Sequence, residues 1–115
     1  MPSTPVVNSN SHNERVKQIR TLLGIEGKAV SEWLKAEMLV NSPAELETIQ
    51  VDELIQWMVV QWAAKQGMQH NDVLNSFLKH VPAIIQEGYS EVDALKLWME
   101  HVQQQAEQKL SMSVG

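Results

Sequence analysis

Gly24, Gly67 and Gly88 each close a stretch in which apolar residues recur every three or four positions, and this punctuation constrains the chain more than any other feature. Glycine ends a helix cheaply because it enters the left-handed region without a Cβ clash. Between these stops the lengths suit helices. No segment alternates apolar and polar residues as a half-buried strand must, and no turn dipeptide lies between β-branched runs. The expectation is an all-α fold: a compact bundle of about five helices with a short extra helix at 43–48.

The segments follow in order. Met1 to about His12 is rich in proline, serine and asparagine with little to bury, and reads as a disordered tail, residues 1–12, before a single helical domain over 13–110. Ser11 and Glu14 have capping-box spacing, and Val16, Ile19, Leu22 and Leu23 continue at helical period to Gly24. A second helix from about Lys28 carries Ala29, Val30, Trp33 and Leu34, and Met38-Leu39-Val40 leads out of it. Ser42-Pro43-Ala44-Glu45 combines an N-cap serine, a proline at the first helical position and a glutamate that can reach back, which opens the short helix at 43–48.

The central helix spans 51–66. At ~100° per residue, Val51, Leu54, Ile55, Met58 and Trp62 share one face, while Trp57, Val60 and Ala64 lie on another. Such a helix needs two apolar neighbours, which a sandwiched central position supplies, or a partner chain on the Trp57 face. Asn71-Asp72 is placed to cap a helix holding Val73, Leu74, Phe77, Leu78, Val81, Ile84 and Ile85, which Pro82 must kink or divide. Ser90 and Asp93 start a last, one-sided helix through Val92, Leu95, Trp98, Met99, Val102, Ala106 and Leu110, with 111–115 frayed.

Composition narrows the function classes. The chain has no cysteine, which removes disulfides, thiolate metal sites and thiol nucleophiles. His12, His70, His80 and His101 fall on separate segments, none spaced as ligands on one helix face, so no metal site is expected. No apolar run approaches the ~20 residues of a membrane span. The N-terminus has neither the basic start nor the apolar stretch of a secretory signal, and a cytoplasmic location is expected.

Asp52-Glu53 and Glu91 with Asp93 sit where first helical turns are expected, and the helix dipole accounts for carboxylates there without catalysis. Ser76 and His80 are four residues apart but lack an orienting third group. No phosphate loop or nucleophile elbow is present, so neither an enzyme, a cofactor nor a small-molecule substrate is expected.

Residues 16–35, VKQIRTLLGIEGKAVSEWLK, resemble the helix-turn-helix of phage-repressor-like regulators at Ile19, Leu23, Gly24, Ile25, Val30, Trp33 and Leu34. The resemblance implies that Gly27, Lys28, Ser31, Glu32 and Lys35 face the major groove, with Arg15, Lys17 and Arg20 on the phosphate backbone. Residues 14–35 hold five basic and three acidic side chains, although the whole chain carries a net charge of −5, which disfavours general nucleic-acid binding. The leading expectation is therefore a non-enzymatic protein-interaction module. Its partner would be another protein or a second copy, bound through Trp57, Val60 and Ala64; DNA reading is the second expectation.

Overall fold

A computed structural model describes the backbone of residues 4–114 and the side chains of residues 11–105. Among the described residues there are five α-helices and no strand: α1 Thr4–Leu23, α2 Gly27–Trp33, α3 Thr48–Lys65, α4 His70–Gln86 and α5 Glu91–Val114. A π-helical turn, Leu34–Met38, prolongs α2, and a 3-10 turn, Pro43–Glu45, precedes α3. The chain divides into two compact units, Met1–Trp62 and Ala63–Gly115.

In the first unit α1 starts at Thr4, well before the Ser11–Glu14 box. Pro5 does not prevent this, because a proline near the start of a helix removes only an amide that has no intrahelical acceptor. The backbone is helical from Thr4 onward; of the stretch read as a tail only Ser11 and His12 have described side chains, and Met1–Ser3 lie outside the described residues. His12 and Asn13 are tied into the unit: the Ser42 hydroxyl donates to Asn13 Oδ1 at 3.4 Å, and the His12 ring meets the Thr48 hydroxyl at 3.5 Å.

Val16, Ile19 and Leu23 are the buried stripe of α1. Gly24, at φ 72°, turns the chain, and Ile25, Val30 and Leu34 complete this part of the core. The box at Ser42 forms as the sequence indicates. Ser42 Oγ accepts from the Ala44 amide at 3.0 Å, while Glu45 Oε2 accepts from the amides of Asn41 and Ser42 at 3.0 and 3.1 Å. The turn is shorter than the expected 43–48, because Leu46 leaves it in an extended conformation to bury its side chain. Since α1 packs on this turn, Ser42→Ala is expected to cost about 1 kcal/mol, seen as a lower urea midpoint with an unchanged m-value.

α3 begins at Thr48 rather than Val51, so Asp52 and Glu53 lie beyond its first turn. The dipole account of this pair fails. Asp52 instead meets Arg15 of α1 at 2.8 Å, a half-exposed ion pair worth at most about 1 kcal/mol. Val51, Leu54, Ile55, Met58 and Trp62 are all buried, as their shared face requires, and Val59 and Ala63 widen the buried arc to about half the helix circumference.

In the second unit α4 and α5 pack against each other. α4 starts at His70 after Gln69, with no side-chain cap, so Asn71 and Asp72 belong to its first turn. It stays one helix through Pro82, whose exposed position leaves the carbonyl of Leu78, itself exposed, on the solvent side. Glu91 and Asp93 do fall in the first turn of α5, where Ser90 Oγ accepts from the Asp93 amide at 3.2 Å. Val73, Val81, Ala94, Leu95, Trp98 and Val102 are buried. α5 continues to Val114, while the side chains of Ala106 and Leu110 and the structure of Gly115 lie outside the described residues.

Candidate functional site

The expected partner face is only partly free. The Trp57 ring stacks on Trp33, with centroids 5.6 Å apart and planes inclined by 29°, and both side chains are half-buried. Trp33, placed at the end of α2 by the three-residue turn at Gly24–Glu26, therefore supplies a neighbour that the Trp57 face requires. Val60 is half-buried; Ala64, in the second unit, is exposed.

Two large apolar side chains of the first unit stand out in water, Leu39 at 86% and Ile49 at 66% exposure. They flank a contact: Gln50 Nε2 donates to Met38 Sδ at 3.8 Å, which brings the neighbouring residues 39 and 49 into one region. Leu39 follows the π-helical turn, in which its amide and that of Val40 both return to the Leu34 carbonyl, and it adopts φ 57°, ψ 35°. A left-handed conformation costs a non-glycine residue ~1–2 kcal/mol, and here it directs an apolar side chain into solvent. Ile49 lies on the same side of α3 as Trp57 and Val60, eight and eleven residues on. The spacing carried that signal, but a helix begun at Val51 leaves Ile49 out.

The helix-turn-helix candidates separate into two groups. Lys28, Glu32 and Lys35 are exposed along one side of α2 and its π-helical extension. Gly27 and Ser31 do not share that surface. They line a cleft of about 240 Å³ between α1, α2 and the chain at Asn41–Pro43, whose walls also include Val16, Lys17, Arg20, Val30 and Leu34. Arg20 is half-buried and donates to the Ile25 carbonyl at 3.1 Å, bracing the turn. Its guanidinium also passes Gly27, 3.8 Å from where a Cβ would stand. Arg15 is engaged with Asp52.

Other candidates resolve into packing. Ser76 Oγ accepts from Trp98 Nε1 at 3.0 Å, while His80 faces His101 of α5 with ring centroids 5.7 Å apart, and no hydrogen bond joins Ser76 to His80. The His80–His101 pairing is tertiary and invisible to a test of spacing along one helix. Among the described residues no group of three or more histidines and carboxylates is arranged to hold a metal, and no helix is long and apolar enough to cross a membrane. No protein-family model, curated protein or solved structure matches the chain.

Proposed function

We propose that this chain is a non-catalytic helical module that binds another protein, with Leu39 and Ile49 as anchors and Val60 and the outer edge of Trp57 beside them. The supporting observation is Leu39, an apolar side chain at 86% exposure on a backbone conformation that costs free energy to hold. A chain selected only for stability would place glycine or asparagine there. Anchors that desolvate against a partner carry most of the affinity of such interfaces. Ala64, although on the same side of α3, belongs to the second unit and is left out of the site.

A photo-crosslinking amino acid at position 49, introduced in the cells that make the protein, is expected to trap a discrete protein adduct that Leu39→Asp abolishes. The same group at exposed Glu100 should trap none. Sedimentation over a wide concentration range then separates a second copy from a different partner. Adducts indifferent to Leu39→Asp, or a monomer with no adduct at 49, would refute the reading.

Sequence-specific DNA binding is the second reading, favoured by the exposure of Lys28 and Lys35 on an element joined to α1 by a short glycine turn. It ranks lower because Arg15 is committed to Asp52 and Ser31 lines the cleft. Selection from a random duplex pool at low salt tests it: enrichment of a short motif, lost with Lys28→Ala, would move it to first place.

A further inference from the structure

Lys17 and Arg20 face the cleft of the first unit together, and neither has a carboxylate partner among the described residues. No carboxylate lines the cleft, and its inner wall is the buried apolar trio Val16, Val30 and Leu34. Arg20 is held in place by its bond to the Ile25 carbonyl, so its remaining N–H donors are pre-oriented, and a half-buried guanidinium is a better anion receptor than a solvated one. Ser31 adds a hydroxyl at the same wall.

From this juxtaposition of unpaired cations and an apolar wall we infer that the cleft is a binding site for a small organic anion, with a carboxylate or phosphate on Lys17 and Arg20 and a compact apolar body against Val16, Val30 and Leu34. The cleft, of about 240 Å³ and open to solvent, has room for a ring-sized body. The site is independent of the protein-binding surface, since neither Leu39, Ile49, Trp57 nor Val60 lines it.

The test is a titration of the isotopically labelled full-length protein, followed by amide NMR shifts, with benzoate, phenyl phosphate and, as a cationic control of similar shape, benzylamine. The expected result is a saturable shift of the Gly27, Val30 and Ser31 amides by at least one anion, with an affinity on the order of millimolar. Whichever anion is tighter identifies the headgroup, and benzylamine should leave these amides in place. Lys17→Glu, at an exposed position that leaves the core untouched, is expected to weaken binding by about tenfold or more with the remaining spectrum preserved. Arg20→Lys should bind more weakly than the parent but more tightly than Lys17→Glu. Absence of saturable shifts for both anions, an equal response to benzylamine, or unchanged affinity in Lys17→Glu would overturn the assignment. So would displacement of these amides by duplex DNA alone, which would favour phosphate-backbone contacts instead.

Discussion

Trp98→Ala is expected to lower the stability of the protein by about 3–5 kcal/mol, the largest effect of any single truncation in the second unit. Three contributions act together at this residue. Its side chain is 1% exposed, so nearly all of its apolar surface returns to water or faces a void when it is removed. Its ring meets Phe77 of α4 edge-on, with centroids 5.5 Å apart and planes at 73°, a geometry worth about 0.5–1.5 kcal/mol beyond burial. Its indole N–H satisfies the Ser76 hydroxyl across the same helix pair.

Trp98→Phe keeps most of the volume but leaves Ser76 without that donor, and should lose about 1–2 kcal/mol. Urea unfolding followed by far-UV circular dichroism gives both values. If Trp98→Ala lost less than about 1 kcal/mol, the α4–α5 packing described above would be wrong.

The parts of this fold that the sequence revealed are those fixed within a few residues. Ser42 and Glu45 form their reciprocal caps because both partners lie inside one turn, and Gly24 and Gly67 reach φ 72° and 76° where the apolar periodicity stops. The buried stripe of α3 was legible for the same reason: Val51, Leu54, Ile55, Met58 and Trp62 repeat at helical period whatever they pack against. Features set by distant residues were not legible. Asp52 resembles a capping carboxylate until α1 places Arg15 beside it, and His80 resembles a solitary histidine until α5 presents His101.

The π-helical turn at Leu34–Met38 has no local composition of its own, and nothing in the sequence around Leu39 announces a left-handed leucine. The candidate site divides along the same line. The Trp57 face follows from periodicity, and Ile49 would have joined it had the helix been begun at Thr48, whereas the anchor at Leu39 and the cleft at Lys17 and Arg20 emerge only from the folded chain.

Trp57→Ala separates a structural tryptophan from a binding one. If its role were confined to a partner interface, truncation would weaken association and leave the free protein as stable as before. The stack on Trp33 requires otherwise: half-burial and ring contact together make a loss of about 2–3 kcal/mol the expected result in the isolated chain. Trp33→Ala should cost a similar amount, and the double variant less than the sum, because either substitution alone already abolishes the stack. A coupling of about 1 kcal/mol in that cycle measures the stack directly.

Ile49→Asp provides the contrast, since a side chain 66% exposed contributes little to the free fold. Its unfolding midpoint should stay close to that of the parent, and any loss of partner binding is then attributable to the surface itself. Additive Trp33 and Trp57 variants, with Ile49→Asp as the destabilised one, would reverse these roles and return the partner face to the tryptophan.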